Sequence, residues 1–110
     1  MDDLRDTLSY KGHKFRISRK LRIYHVYHTG YDLTPADMSQ YVLNLSKEMG
    51  ISQEEIMNSY ELLSDAAEKY MRAKVRVYKQ KFDWDESEAA PLSAGDERKI
   101  EEYIKEHSEW

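Results

Sequence analysis

The sequence contains no cysteine among its 110 residues, and this absence removes three kinds of chemistry. Without thiols there is no disulfide framework, no thiolate nucleophile and no cysteine-ligated metal site. A chain of this kind suits a reducing compartment, so we expect a cytoplasmic protein. Only four glycines and two prolines are present, and the sequence contains no glycine-rich phosphate loop and no nucleophile elbow. Its carboxylates lie in solvated runs rather than in apolar settings, so we expect neither enzymatic activity nor a cofactor.

Long apolar runs are also missing from the sequence. No stretch approaches the ~20 apolar residues that span a bilayer. Residues 1–6 lack the basic start and the apolar run of a signal peptide. We therefore expect a soluble protein without a membrane partner.

The length and the composition predict one small domain. A chain of 110 residues has the common size of a single domain, and we assign residues 1–110 to one domain with 10–82 as its core. Apolar residues make up 40% of the chain and charged residues 35%, with a mean hydropathy of -0.88. Such a composition folds but leaves a thin core, which a partner surface would supplement.

The first of two central helices has a complete set of start and stop signals. Thr34 can cap the helix, Pro35 suits its first position, and Asp37 favours the positive end of the helix dipole. Apolar residues then recur at spacings of three and four until Gly50, which suits a helix end. The pattern predicts a helix over 35–49.

The second central helix begins with the strongest start signal of the chain. Ser52 opens a capping box, and the following apolar positions keep helical spacing without a glycine or a proline, which predicts a helix over 53–81. Its far end alternates apolar and charged residues, so residues 72–82 fit a strand as well as a helix. Antiparallel packing on 35–49 makes a two-helix hairpin the predicted core, and a coiled-coil homodimer is the alternative.

The N-terminal third shows a change of period. Asp2–Ser9 carries two leucines at helical spacing, which favours a short helix. Apolar and basic residues then alternate over 14–27, which predicts a small β element, either one strand or a hairpin that turns at residues 18–20. The apolar residues of 17–28 also fit a helix, and that alternative stays open.

The C-terminal quarter is acidic. We interpret residues 83–92 as a linker in which Trp84 is the one strong apolar anchor. A last helix is predicted over 93–108, with Ser93 at the cap and Asp96 in the capping-box position. The predicted fold is therefore α+β and mainly α, with a two-helix core, a small N-terminal β element and a C-terminal helix.

The charge is distributed unevenly along the chain. Residues 1–33 carry seven Lys or Arg against four Asp, residues 34–82 carry seven of each sign, and residues 83–110 carry three against ten. The three parts thus have net charges of +3, 0 and -7. Such a gradient suits an anionic partner at the basic end, or an acidic tail that solubilises the protein and folds back on that end.

Two basic stretches with interleaved tyrosines, 11–28 and 69–81, form the candidate nucleic-acid interface. Cations on one face of a strand or a helix can follow a phosphate backbone. The candidate residues are Lys14, Arg16, Lys20, Arg22, Arg72, Arg76 and Lys79. The alternative interpretation of the second stretch is structural, because its cations can pair with Glu61, Asp65 and Glu68 about a turn away.

The segment Leu45–Ile56 resembles the turn of helix-turn-helix proteins. It has a glycine between apolar residues, a small residue four positions before the glycine and an isoleucine six positions after it. The resemblance implies a second helix that enters the major groove of DNA. The sequence departs from the family where that helix begins, because Glu54 and Glu55 would face the phosphates. An ordinary helical corner therefore fits the segment better.

The four histidines, His13, His25, His28 and His107, do not have the spacing of a conventional metal site. Arg22 and His28 match the loose Arg-spacer-His pattern of some helical ribonucleases, in which such a pair acts on phosphates. The pattern is short and arises often by chance. We therefore expect neither a bound metal nor catalysis.

Tyrosine occurs nine times, against two occurrences each of Trp and Phe. Nine tyrosines exceed the needs of one small core, and both tyrosine and methionine are favoured at binding surfaces. The candidate protein-binding residues are Tyr41, Met57, Tyr60, Tyr70 and Met71. The sequence thus predicts a non-enzymatic regulatory or adaptor protein that binds a protein partner. The alternative is a nucleic-acid-binding protein whose acidic tail competes for the basic surface.

Overall fold

The computed structural model describes residues 5–81, 94–108 and 110, and the side chains of all of these except 79–81. Its elements, in chain order, are β1 (Arg5–Tyr10), β2 (His13–Ser18), α1 (Arg19–Thr29), α2 (Pro35–Met49), α3 (Gln53–Met57), α4 (Tyr60–Lys81) and α5 (Ala94–His107). The predicted fold class is confirmed, because the protein is mainly helical with a two-stranded antiparallel sheet at its N-terminal side and a helix at its C-terminal side. The acidic linker predicted at 83–92, with Trp84, lies outside the described residues.

β1 and β2 form a hairpin that is closed by a two-residue turn. Lys11 and Gly12 both have positive φ, 50° and 82°, as a type I′ turn requires, and Tyr10 pairs with His13 across it. The prediction of a small N-terminal β element is therefore confirmed. The turn predicted at residues 18–20 is wrong, since the chain has already reversed at this earlier position.

β1 occupies a stretch for which a short helix was predicted. Its residues alternate between exposed and buried positions, with Leu8 and Tyr10 buried. Leu8 lies opposite the fully buried Phe15 of β2. The helix predicted for Asp2–Ser9 is thus wrong over the described residues, because cross-strand pairing outweighs the spacing of two leucines.

α1 follows β2 directly, in a stretch for which the sequence fitted both a strand and a helix. The Ser18 hydroxyl caps the helix by accepting from the Leu21 amide at 3.4 Å, and Gly30 ends it in the left-handed conformation with φ 85°. The buried positions of α1 follow helical spacing rather than alternation. The helical interpretation of 17–28 is therefore confirmed from residue 19 onward, and the strand interpretation of that part is wrong.

α2 begins and ends as predicted. The Thr34 hydroxyl accepts from the Asp37 amide at 3.1 Å, and the Asp37 carboxylate accepts from the Thr34 amide at 3.0 Å. This reciprocal capping box fixes the first turn. Gly50 ends the helix in the left-handed conformation with φ 69°.

The second predicted helix, 53–81, is divided in two. Ser52 caps α3 as predicted. The helix then breaks, and the Ser59 hydroxyl caps α4 by accepting from the Leu62 amide at 3.1 Å. Short polar side chains compete with helical hydrogen bonds in this way, so the break arises from the local sequence. α4 continues through the described part of 72–82, which confirms the helical alternative there.

α4 is the central element of the fold, because α1, α2 and β2 all pack against it. α2 runs antiparallel to α4, since Asp37 near its start pairs with Lys74 and Glu48 near its end pairs with Lys69. The predicted two-helix core is therefore present. The centre of the core consists of fully buried side chains: Phe15, Ile17, Leu33, Met38, Ile56, Leu63 and Met71.

The C-terminal segment packs beneath the hairpin. The Trp110 ring meets Phe15 edge-on at 5.6 Å, and its Nε1 donates to the Leu33 carbonyl at 2.9 Å. α5 lies on α1, where the Tyr103 hydroxyl donates to the Gly30 carbonyl at 3.4 Å. The acidic helix α5 is thus placed against α1, and Trp110 beyond it lies against the inner side of the hairpin.

Candidate protein-binding and nucleic-acid-binding surfaces

Two of the five candidate protein-binding residues belong to the core. Tyr41 is 5% exposed and Met71 is fully buried, because α4 has neighbours on several sides and its apolar positions pack inward. Burial raises the pKa of Tyr41 to about 12. The interpretation of these two residues as a presented surface is therefore corrected: both stabilise the contact between α2 and α4.

Other tyrosines fill the seam between α2 and α4. Tyr70 stacks on Tyr41 with ring centroids 5.6 Å apart, and its hydroxyl donates to the Glu48 carboxylate at 2.7 Å. Partial burial and the nearby carboxylate raise the pKa of Tyr70 to about 12. Lys74 lies over the Tyr31 and Tyr41 rings. The abundance of tyrosine thus has a structural explanation, since several of these rings join the two helices.

Lys74 is held by a polar contact at each side of this seam. Its Nζ donates to the Tyr31 hydroxyl at 3.0 Å and to the Asp37 carboxylate at 3.2 Å. Partial burial would lower the pKa of Lys74, but these partners outweigh burial and raise it. The ammonium group therefore stays charged and is not available to an external anion.

An open groove of about 390 Å³ runs between α2 and α4 near the end of α2. Leu45, Met49 and Leu62 supply its apolar part, and Met49 is 49% exposed. Charged residues of both signs, including Asp65 and Lys69, form its rim. This groove was not identified from the sequence. The signal that pointed to it was the helical spacing that places Leu45 and Met49 on one apolar stripe. Such a groove can receive apolar side chains of a partner.

The remaining candidate protein-binding residues lie near the start of α4. Met57 is partly buried and packs against the core. Tyr60 is 43% exposed, and the Arg16 guanidinium lies 5.7 Å from the centre of its ring. Tyr60 therefore borders the outer face of the hairpin rather than the groove between the helices.

Several nucleic-acid candidates are exposed on the surface. Lys14 and Arg16 lie on the outer face of β2, Lys20 lies in the first turn of α1, and Arg76 lies on α4. Within the described ranges none of these four cations forms an ion pair. The side chain of the remaining candidate, Lys79, lies outside the described residues.

Arg22 is not a surface residue, and its candidacy is corrected. It is 5% exposed, and its guanidinium donates to the two Asp32 oxygens at 2.8 and 2.6 Å and to Asp6 at 3.3 Å. Burial would lower its pKa, but the two carboxylates outweigh burial and raise it. The charge of Arg22 is therefore neutralised inside the protein. The ribonuclease-like pairing with His28 fails for the same reason, because Arg22 cannot reach an external phosphate.

The two basic stretches adjoin at one carboxylate. Glu68 of α4 accepts from Arg5 of β1 at 2.9 Å and from the Ser18 amide at 3.1 Å, and it pairs with Arg72 at 3.6 Å. The expected pairing of the second stretch within its own helix is thus present at Arg72. Glu68 neutralises the surface where the stretches meet, and the unpaired cations remain on either side of it.

The segment that resembles a helix-turn-helix turn forms a compact corner. The Ser46 hydroxyl donates to the Ile51 carbonyl at 2.5 Å, and α3 is only five residues long. Glu54 and Glu55 are exposed on α3. A helix this short with carboxylates at its start is unsuited to the major groove, so the corner is structural.

The described residues offer no group of three or more metal-ligating side chains, and none of their helices has the length and apolar character needed to cross a membrane. His25 is fully buried, and its Nδ1 lies 3.0 Å from the Tyr31 carbonyl. Burial lowers the pKa of His25, so the ring is neutral at neutral pH.

No protein-family model matches the chain. Comparisons with the curated proteins and with the solved structures also found no match.

Proposed function

We propose that this protein is a non-enzymatic adaptor that binds a protein partner in the groove between α2 and α4. The observation that supports this most directly is Met49, which is 49% exposed beside the apolar side chains of Leu45 and Leu62. Full burial of an exposed methionine contributes roughly 1.5–3 kcal/mol, so covering the exposed half of Met49 contributes about half of that. A partner that covers the groove therefore gains a central apolar anchor of the kind that dominates binding energy.

The shape of the groove favours a helical partner segment. Two antiparallel helices form its walls, and an amphipathic helix presents apolar side chains at i, i+3 and i+4 to such a groove. The rim residues Asp65, Lys69 and Arg72 carry both signs of charge and can fix the orientation of the partner. We place this activity in the cytoplasm, which the absence of cysteine favours.

The test compares a variant that has a carboxylate in the groove with a variant that has the same carboxylate elsewhere on the surface. Met49→Glu should abolish binding, because a carboxylate in an apolar contact is costly. Val77→Glu is the matched control, since Val77 is 57% exposed on α4 and does not line the groove. Affinity capture from the source organism, followed by titration calorimetry with the purified partner, compares the three proteins. A partner that binds Met49→Glu as tightly as the wild type excludes the groove.

Self-association is tested with the same variants. Size-exclusion chromatography with light scattering measures whether the wild type is a dimer and whether Met49→Glu is a monomer. If the wild type is a dimer that Met49→Glu dissociates and Val77→Glu does not, the occupant of the groove is a second copy of the chain.

Nucleic-acid binding on the outer face of the hairpin is the second candidate function. Lys14 and Arg16 are exposed there, and Tyr60 can stack on a base beside Arg16. Fluorescence anisotropy with single-stranded and duplex oligonucleotides should then show an affinity that falls steeply with salt and with Lys14→Glu. Absence of binding at low salt rejects this candidate. Removal of α5 should have little effect, because α5 lies on α1 and not on this face.

A further inference from the structure

The two edges of the hairpin differ in whether another element covers them. On β2 the Arg16 amide donates to the Ser64 hydroxyl at 2.9 Å and the Ser18 amide donates to the Glu68 carboxylate at 3.1 Å. Ser64 and Glu68 are one turn apart on α4 and cover the β2 edge. Edge strands offer unpaired backbone groups to other chains, and covering an edge removes that opportunity.

The β1 edge has no such cover among the described residues. In the register of the hairpin Arg16 lies opposite Thr7 and Lys14 lies opposite Ser9. Because the Arg16 amide points away from β1, the amides of Thr7 and Ser9 point away from β2. Within the described ranges no hydrogen bond reaches them, and both residues are exposed. β1 also lacks a proline and a bulge, which are common devices for blocking an edge.

Two cavities open beside the inward-facing residues of β1. One of about 320 Å³ lies next to Tyr10 and is lined largely by Pro35, Ala36 and Trp110. The other, of about 350 Å³, lies next to Asp6 and is lined by charged side chains of both signs, including Arg19 and Glu101, and by Ile104. Positions 6 and 10 of a strand face the same side and are about 13 Å apart. Side chains at i and i+4 of an added strand would therefore reach both cavities.

The outer face of the hairpin selects the charge of an added strand. Lys14 and Arg16 are exposed on this face without an ion pair to a described residue, and Lys11 lies in the adjoining turn. An added strand would lie beyond β1 and about 10 Å from β2, so Lys14 and Arg16 would not be its direct cross-strand neighbours. Charges at a protein surface still attract over about 10 Å at 0.1 M salt. Carboxylates on the outward side of an added strand therefore match this face through longer-range attraction.

We infer that β1 binds an extended, acidic segment of a partner protein as a third, antiparallel strand of the sheet. Its backbone would pair with the outward groups of Thr7 and Ser9, and its outward side chains would be carboxylates. An apolar side chain would enter the cavity at Tyr10, and a small polar side chain four residues later would enter the cavity at Asp6. Main-chain pairing supplies affinity in such complexes, and the pockets for alternate side chains supply specificity. This surface is separate from the groove between α2 and α4.

The probe is the synthetic peptide acetyl-Glu-Leu-Glu-Val-Glu-Ser-Glu-amide, in which Leu faces Tyr10 and Ser faces Asp6. NMR hydrogen exchange on the full chain should show that peptide binding protects the amides of Thr7 and Ser9. The same peptide with Lys in place of Glu should bind more weakly, and the difference should shrink as salt is added. N-methylation of the Glu that faces Thr7 should weaken binding about tenfold, because that amide points at β1. N-methylation of the Val that faces Leu8 should have little effect, since its amide points away.

Protein variants test the same geometry from the other side. Thr7→Pro removes an outward amide at a place where edge strands tolerate proline, and it should weaken binding about tenfold. Thr7→Val keeps that amide and should bind normally. Ala36→Phe fills the apolar cavity and should weaken the Leu peptide but not a peptide with Gly in its place. The N-methyl peptides need no protein variant, so the comparison stands even where Thr7→Pro unfolds.

Three results would overturn the inference. The first is equal weakening by the two N-methyl groups, and the second is absence of binding at millimolar peptide. The third is a doubled mass in light scattering with the Thr7 and Ser9 amides already protected without peptide, which would mean that β1 pairs with a second copy. Met49→Glu should leave peptide affinity unchanged. A failure at the α2–α4 groove is thereby distinguished from a failure at β1.

Discussion

At the buried pair of Arg22 and Asp32, one small substitution should strongly destabilise the fold. Their side chains are 6% and 5% exposed, and two hydrogen bonds of 2.8 and 2.6 Å join them. Asp32 also accepts from the Leu33 amide at 2.8 Å. Asp32→Asn keeps the shape of the side chain but leaves a buried guanidinium beside a neutral amide.

The expected cost follows from what remains around Arg22. Removing one member of a buried ion pair typically costs about 3–5 kcal/mol, because the other charge is left without compensation. Asp6 stays 3.3 Å from the Arg22 guanidinium and is itself 17% exposed, so it compensates in part. We therefore expect a loss of about 3 kcal/mol in the free energy of unfolding. Domains are stable by only about 5–15 kcal/mol, so this loss is a large fraction of the whole.

Urea unfolding followed by circular dichroism measures this loss at neutral pH. The control is the double substitution Arg22→Met with Asp32→Asn, which removes both charges of the pair and nearly keeps the volume. It should cost less than Asp32→Asn alone, because it does not leave the Arg22 charge buried beside a neutral amide. A loss below about 1 kcal/mol for Asp32→Asn, the level of an exposed pair, or a double variant less stable than the single one, would refute the reasoning.

Three further predictions concern other parts of the structure. Met71→Ala should lower the free energy of unfolding by about 2–5 kcal/mol, because the Met71 side chain is fully buried. Met49→Ala should change it by less than about 0.5 kcal/mol, and urea unfolding measures both variants. Thr34→Ala removes half of a capping box and should cost about 1 kcal/mol in the same assay. Burial lowers the pKa of His25 below its ordinary value of 6.5, so below that pH the unfolded chain binds a proton that the folded chain excludes. The free energy of unfolding should therefore fall as the pH is lowered through this range, and His25→Asn should show a shallower fall; equal slopes would contradict this.

Local signals in the sequence predicted the parts of the fold that local interactions determine. The capping residues Thr34 and Ser52 and the glycine at the end of α2 were all identified, because each of these signals involves residues within a few positions of one another. The Lys11-Gly12 turn was missed, although a two-residue turn between alternating strands is a hairpin signal. The break at Ser59 was also missed, because a continuous apolar stripe on both sides of it hid a second capping residue.

Burial depends on contacts between distant residues, and there the sequence was a weaker guide. From the sequence alone, Tyr41 and Met71 fit an exposed stripe as well as a buried one. They are buried because α1, α2 and β2 all pack on α4. Arg22 similarly belongs to an alternating basic pattern, and only the fold brings Asp6 and Asp32 to it. The exposed β1 edge could not be predicted either, because it depends on which edge of the hairpin α4 covers.

Several cations of the N-terminal and central parts of the chain are neutralised by carboxylates of those same parts. Arg19 and Arg22 pair with Asp6, and Arg5 and Arg72 pair with Glu68, so these cations stabilise contacts between elements. Lys14 and Arg16 form no ion pair with a described residue and lie on the outer face of the hairpin, next to a β1 edge that no described residue covers.

The two proposed binding surfaces lie at opposite ends of α2. Ala36 lines the cavity beside β1, and Met49 lines the groove beside α4. A helix rises 1.5 Å per residue, so these two positions are about 20 Å apart. Partners of modest size can occupy both surfaces at once over that distance. Binding at either proposed surface would leave the other one open, which is what the proposed adaptor function requires.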